Sequence, residues 1–349
     1  MSAVQAPALI LVSGGTGFVG SAIVIHLLQN GFSIRAAIRS EAKRSSFIKH
    51  LGEYIDSGKL TFVVVPDMTV PGAFKEAVKG VDGIVHTASP LLPSSPSADP
   101  NELIGPAIDM TLRVLEDAAT SATVKRIVLT SSAVTLMEQH EGKYTYTEKD
   151  WFDSAPTIVE RAGAQAPGFL KYIASKVLAE RAAWAWIKEH NPSYELVTLL
   201  PPWIFGKDVF SNPETIREGS SNSRVLTAIS DATSGKLQKK DYFGSSEMVD
   251  VVDVAEGHLR ALTTPEAAGE RFALKGGLIT WQDIFDIVNR NAIPGVTAPR
   301  GTPDAGTKFV HEKVLVGEKA ERILGMTYRS PEDTILDTIR SGVELGWKL

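Results

Sequence analysis

The chain has 349 residues, 43% of them hydrophobic, and a formal net charge of −5. That length suits two structural units or one large α/β unit with an appendage, and the charge excludes a general nucleic-acid footprint. There is no cysteine, so disulfides, thiolate metal sites and a cysteine nucleophile are excluded, and a reducing, cytoplasmic setting suits the composition.

The first predicted element is a strand, Ala8 to Val12, followed by Gly14, Gly15, Gly17 and Gly20. Val19, Ile23 and Leu27 then recur every four residues and so share one helix face. Strand, glycine turn and helix together read as a dinucleotide-binding turn: glycine lets a pyrophosphate approach the main chain, and the free N–H groups at the helix start face the phosphates. Gly14, Gly17 and Gly20 fit GxxGxxG; Gly15, Gly17 and Gly20 fit GxGxxG. Thr16, Phe18 and Val19 complete the candidate cradle. The residues before the strand lack a basic leader, and Ser13-Gly14 breaks the apolar run. Neither a signal peptide nor a membrane span is expected.

Ser33 to Ile38 reads as the second strand. Folds selective for NAD place an acid about 20 residues past the glycines to bind the ribose 2′-hydroxyl. Here Arg39 lies 19 residues past Gly20, with Lys43 and Arg44 close behind. Cations at that point suit a 2′-phosphate. Leu60 to Val65 is the third strand, and Asp67 behind it is placed to cap a following helix or to touch the adenine end of a cofactor. Gly83 to His86 is the fourth, ending in Thr87-Ala88-Ser89-Pro90, small residues that leave room for a ligand at a strand end. His86 itself reads as structural. After a Pro- and Ser-rich loop, Leu103, Ala107, Met110, Val114 and Ala118 mark a helix. Val124 to Thr130 is the fifth strand, and its end carries Ser131, Ser132 and Ala133.

A polar loop is expected from Glu138 to Gly168, then a helix from Leu170 to Glu189 that carries Tyr172 and Lys176 four apart, on one face. Of seven tyrosines only Tyr172 has a lysine four later, so composition alone does not repeat the pair. Leu196 to Leu200 is the sixth strand, ending Pro201-Pro202-Trp203. Alternating strands and helices imply right-handed crossovers and one doubly wound parallel sheet. From Phe210 to Lys240 the chain reads as loop and short helix with little apolar periodicity. Val249 to Ala255 reads as a strand entering a helix with Asp253 at its N-cap, and Arg271 to Leu274 as a short strand. Thr280 and Ser330-Pro331 are expected to open two further helices.

GxxGxxG, the Thr130-Ser131-Ser132 strand end and Tyr172-xxx-Lys176 together resemble an extended short-chain dehydrogenase/reductase over nearly the whole chain. Arg39-Ser40-Glu41-Ala42-Lys43, Val65-Pro66-Asp67, His86-Thr87-Ala88-Ser89-Pro90 and Ala174-Ser175-Lys176-Val177-Leu178-Ala179-Glu180 are similar to the dihydroflavonol reductase branch and to fungal carbonyl, aldehyde and methylglyoxal reductases. The resemblance implies an α/β fold: a Rossmann domain over residues 1–205, with about 246–263 returning to it, and a C-terminal substrate lid over 206–245 and 264–349. It implies NADPH as cofactor and a small-molecule carbonyl substrate, in a monomer or homodimer without metal, nucleic acid or membrane. Tyr172 would donate the proton, Ser132 would hold the carbonyl oxygen, and Lys176 would hold the nicotinamide ribose and acidify Tyr172. Arg39 and Lys43 would take the 2′-phosphate; Asp67, Thr87, Ala88, Thr130 and Pro201 would line the cofactor; Leu91, Ala133 and Trp203 would touch substrate. Asp109 stands where relatives often carry Asn. The alternatives are a nucleotide-sugar epimerase or dehydratase, which the missing acid near residue 39 opposes, and a non-catalytic NADP sensor, which the Tyr–Lys pair opposes.

Overall fold

The fold is taken from a computed structural model that describes residues 3–90, 99–210 and 221–347. A seven-stranded sheet runs through its centre: β1 (Leu9–Ser13), β2 (Ser33–Ile38), β3 (Leu60–Val64), β4 (Gly83–His86), β5 (Arg126–Thr130), β7 (Glu195–Leu200) and β10 (Arg271–Ala273), in the order β10-β7-β5-β4-β1-β2-β3. Every pairing in it is parallel. Parallel neighbours need crossovers, and helices supply them: α1 (Phe18–Gln29), α2 (Arg44–Asp56), α3 (Asn101–Ala118) and α5 (Gly168–His190), with the shorter α4 (Ser154–Ala162) between α3 and α5.

The apolar runs of the strands are buried on both faces, as a doubly wound sheet requires. Ile10 and Val12 of β1 join one core cluster with Ile23, Val24 and Leu27 of α1 and with Val254 and Leu262 of α7 (Val251–Thr263). Leu11, between them in sequence, joins the opposite cluster with Val114 and Leu115 of α3 and Ala183 of α5. The alternation is the period-two rule of a strand.

A second, three-stranded sheet lies beyond β7. In it β8 (Trp203–Phe205) pairs parallel with β9 (Ser245–Asp250), and β11 (Gly277–Thr280) pairs antiparallel with β9. Around it pack α6 (Ser221–Thr233), α8 (Trp281–Asn291) and α10 (Pro331–Glu344), whose Val225, Leu226, Phe285, Ile335 and Ile339 form a core of their own. A two-stranded ribbon joins β6 (Tyr144–Tyr146) to β12 (Lys313–Leu315), just before α9 (Glu318–Leu324). Thr280 caps α8 with Asp283 in a reciprocal box, and Ser330 caps α10 with Pro331 in its first turn, as expected.

Several expectations need correction. Arg271–Ala273, assigned from sequence to the lid, is the edge strand of the main sheet, while β9, expected to return to the Rossmann domain, belongs to the small sheet. Only α7 returns, packing on α1. The cap of α7 is Asp250, whose side chain accepts from the Val252 amide; Asp253 instead accepts from the Arg329 amide. The expected loop from Glu138 to Gly168 contains β6 and α4. The segment from Phe210 to Lys240 contains the thirteen-residue α6, whose Val225, Leu226, Ile229 and Ala232 are buried at helical spacing; apolar periodicity is present there after all. Among the described residues no helix is long and apolar enough to cross a membrane, and no cluster of three His, Asp or Glu side chains is arranged to hold a metal ion.

Candidate active site

The glycine turn lies at the C-terminal end of β1, against the end of β4. Gly14 has φ +72°, and a Cβ there would stand 2.5 Å from Thr87 Oγ1 and 2.8 Å from the Ala88 amide. A Cβ on Gly20 would stand 2.1 Å from the Gly14 carbonyl oxygen. Gly17, by contrast, is exposed and its Cβ would meet only that oxygen, at 3.4 Å. GxxGxxG is therefore the register that the packing demands: two glycines make the close approach, and the third opens the turn to solvent. Gly17 also occupies the N-cap of α1, where no side chain caps the helix and no acid sits in the first turn. The amides of Phe18 and Val19 begin a helix whose positive end faces outward, a fit for the pyrophosphate of a dinucleotide. The pieces are locked together, since Thr87 Oγ1 donates to the Ser13 carbonyl at 2.7 Å and Ser13 Oγ pairs with His86 Nδ1 at 2.9 Å. His86 is fully buried; desolvation, with the Lys176 charge, pushes its pKa down to about 3, so it stays neutral.

At the end of β2, Arg39 and Lys43 are both exposed, Lys43 on a short 3₁₀ turn spanning Glu41–Lys43. Asp67 is exposed beside them and caps a tight turn instead of a helix: its Oδ1 accepts from the Thr69 hydroxyl at 2.6 Å and amide at 2.8 Å. These bonds, with the Arg39 charge, hold its carboxyl below the usual range.

The three hydroxyls that end β5 and follow it point to three different partners. Thr130 Oγ1 lies 2.7 Å from His258 Nε2. His258 Nδ1 lies 2.7 Å from the Val254 carbonyl, which can only accept, so Nδ1 carries the proton and Thr130 donates to Nε2. The Thr130 hydroxyl expected at the cofactor is thus turned onto α7. Ser131 Oγ donates to Glu180 Oε2 at 2.6 Å. Ser132 Oγ accepts from the Val134 amide at 3.4 Å and is the hydroxyl that acts on Tyr172, where it lowers the phenol's pKa. Pro201 is buried, and its carbonyl accepts from the Ala133 amide at 2.9 Å, tying this segment to the end of β7. Ala133 itself is fully buried in a cluster with Leu136, Tyr146 and Leu200; the side chain expected to meet substrate is enclosed by core. Leu91 lies outside the described residues.

Tyr172 and Lys176 sit one turn apart on α5, with Lys176 Nζ 5.8 Å from the centroid of the Tyr172 ring. Burial raises the Tyr172 pKa and the bond from Ser132 lowers it. Lys176, expected to acidify the phenol, stands beside its ring. Burial brings Lys176 down to about 8, with the Glu180 carboxylate one turn further on acting against that shift. Glu180 is a feature that sequence reasoning did not absorb. Fully buried, it also accepts from Thr198 Oγ1 at 2.9 Å and from Arg271 Nε at 2.8 Å. The available signal was the spacing Tyr172, Lys176, Glu180, one helix stripe. His258 and Arg271 carried none, being distant in sequence. Asp109 forms a half-exposed ion pair with Arg113 at 3.7 Å. Trp203 is partly buried, its ring parallel to that of Phe169.

The chain is similar to known proteins over nearly its whole length. The profile described as "NAD dependent epimerase/dehydratase family" matches residues 10–274. Aldehyde reductase 2 of Sporidiobolus salmonicolor is 32% identical over 343 residues, covering 95% of each chain. A ketoreductase of Aspergillus fumigatus is 31% identical over 345 residues, covering 96% of this chain and 98% of its own. Among solved structures, yeast methylglyoxal/isovaleraldehyde reductase Gre2 complexed with NADPH superposes with a TM-score of 0.82 at 26% identity, covering 98% of this chain and all of its own.

Proposed function

The chain belongs to the NAD dependent epimerase/dehydratase family, and from that premise we propose that it is an NADPH-dependent carbonyl reductase in which Ser132, Tyr172 and Lys176 carry the chemistry. It is an NADP-dependent oxidoreductase that converts an aldehyde or ketone to an alcohol. The observation that carries the reading is the meeting of the Ser132 hydroxyl with the Tyr172 phenol one helical turn from the partly buried Lys176. NADPH, when bound, supplies the hydride.

The glycine turn and the amides of Phe18 and Val19 would hold the pyrophosphate, with Thr16, Thr87, Ala88 and Pro201 lining the cleft. Arg39 and Lys43 would take the 2′-phosphate, with Asp67 close by. No acid stands at Arg39 to bind a bare 2′-hydroxyl, which favours NADPH over NAD. Lys176 brings three N–H donors and no acceptor, which suits ribose hydroxyls.

Reduction leaves an alkoxide that needs a proton. Burial keeps Tyr172 in its protonated form, so a donor is present at neutral pH. Its Oη passes the proton to the alkoxide oxygen. The resulting phenolate is stabilised by the bond that Ser132 already makes and by the Lys176 ammonium close to the ring. Before transfer, Ser132 Oγ orients the carbonyl oxygen toward the same phenol. Trp203 and Phe169 would form the substrate wall, and the small sheet with α6, α8 and α10 would form the substrate-binding unit.

The test is Tyr172→Phe, assayed for carbonyl-dependent NADPH oxidation alongside NADPH binding by fluorescence. Turnover should fall at least a hundredfold, in line with the loss of a general acid, while NADPH still binds. Near-normal turnover would overturn the assignment.

A further inference from the structure

A row of aromatic rings leads away from Tyr172 and ends on a cation. The Phe169 ring lies 6.2 Å from that of Tyr172 and 6.3 Å from that of Trp203, nearly parallel to both. Beyond Trp203, the Arg224 guanidinium carbon lies 4.6 Å from the Trp203 ring centroid and 5.1 Å from that of Trp281. Arg224 is in the first turn of α6. Its neighbours Val225, Leu226 and Ile229 are buried and anchor the helix, while Arg224 remains exposed.

Among the described residues, no carboxylate neutralises the charge of Arg224. Among the described residues, Arg113, Arg181, Arg260, Arg271, Arg290 and Arg329 each pair with a carboxylate. No carboxylate among the described residues lies within ion-pair distance of Arg224; its guanidinium lies over the two indole rings, and partial desolvation lowers its pKa. A guanidinium over aromatic faces keeps its five N–H donors at its edge, free for a planar acceptor. Such a fork matches a carboxylate through two parallel hydrogen bonds.

We propose that Arg224 binds a carboxylate on the substrate, so that the preferred substrates are aldehyde or keto acids whose carboxylate is remote from the reacting carbonyl. The inference rests on the reductase reading, because the carbonyl is placed at Tyr172. The row from Tyr172 through Phe169 to Trp203 offers aromatic faces along which a flat, apolar spacer packs. An aryl acid offers a group to each feature: a carbonyl for the phenol, a ring for the row and a carboxylate for the fork.

The experiment compares 4-carboxybenzaldehyde with its methyl ester, which differ in charge and share the aldehyde. In the parent enzyme kcat/KM should favour the acid at least tenfold, and added KCl should raise KM for the acid more than for the ester, since salt screens an exposed pair. In Arg224→Gln the acid-over-ester ratio should fall at least tenfold, mostly through KM, and Arg224→Lys should restore part of it. A parent ratio near one, or equal losses on both substrates in Arg224→Gln, overturns the proposal while leaving the reductase reading intact. If neither aldehyde is reduced by a protein that binds NADPH, the reductase reading fails and the proposal with it. Should Arg224→Gln not fold, the parent ratio and its salt dependence decide.

Discussion

Adding one methyl group at Gly20 and at Gly17 should separate the two uses of glycine in the β1–α1 turn. In Gly20→Ala the new Cβ would stand 2.1 Å from the Gly14 oxygen, 2.7 Å from the Gly14 carbonyl carbon and 2.9 Å from Gly15 Cα. All three are backbone atoms, so no rotamer change relieves the overlap. The helix would have to lift off the turn, yet its Ile23, Val24 and Leu27 are fully buried in the core. Overpacking costs about 1–3 kcal/mol, and a backbone clash beneath an anchored helix belongs at the upper end, about 3 kcal/mol. Gly17 is different. Its φ of −84° and ψ of 172° are open to alanine, and its Cβ would meet only the Gly14 oxygen, at 3.4 Å. The reduced freedom of the unfolded chain contributes about 0.4–1 kcal/mol, which offsets a weaker N-cap of similar size. Stability should stay within about 1 kcal/mol of the parent. The methyl would nevertheless stand at the open mouth of the phosphate cradle, and NADPH affinity should fall at least tenfold, about 1.4 kcal/mol. Urea unfolding and NADPH titration on both variants make the test. A Gly20→Ala protein as stable as the parent, or a Gly17→Ala protein that binds NADPH equally well, refutes the division.

Other consequences can be checked as directly. Arg39→Ala should lower the NADPH-over-NADH ratio of kcat/KM by tenfold or more, since a charge-assisted hydrogen bond is worth about 1.5–3 kcal/mol; unchanged selectivity removes Arg39 from the 2′-phosphate site. Burial sets the Lys176 pKa at about 8, so NADPH affinity should weaken as pH rises through 8 and the ammonium is lost. Lys176→Met should bind more weakly at pH 7 and show no such limb in an affinity-versus-pH profile. His258 is buried with its pKa pushed down to about 4 from 6.5. The unfolded chain therefore binds more protons between those values, and stability present above pH 6.5 is lost as pH falls through about 4. The urea midpoint should be lower at pH 5 than at pH 7, with a smaller drop in His258→Asn; an equal drop in both proteins would remove His258 as a cause.

Much of the fold was legible because its signals are local. A run of apolar residues followed by glycines, or a tyrosine and a lysine one helical turn apart, is decided by neighbours within a few positions. So the strands of the sheet up to Leu200, the helices α1, α3 and α5, the caps at Thr280 and Ser330 and the Tyr172–Lys176 face are all legible in the sequence. Asp253 was misplaced because Asp250 and Asp253 both lie near the helix start, and only the chain path shows which carboxylate meets the Val252 amide. α6 was obscured by the serines and the arginine among its buried Val225, Leu226 and Ile229.

What the sequence determined by itself is a nucleotide-binding α/β chain with a tyrosine and a lysine on one helix face, because those properties depend on short spacings and on glycine's freedom from a Cβ. What only the tertiary structure decided is where each polar group points. Thr130, Ser131 and Ser132 are consecutive and chemically alike. They part because His258 waits 128 residues from Thr130, Glu180 waits 49 residues from Ser131, and Tyr172 is left to Ser132. The same holds for Arg271, which closes the main sheet and meets Glu180 across 91 residues. A hydroxyl or a guanidinium in a folded interior takes the partner that burial leaves it, and burial is set by chain crossings that no local pattern records.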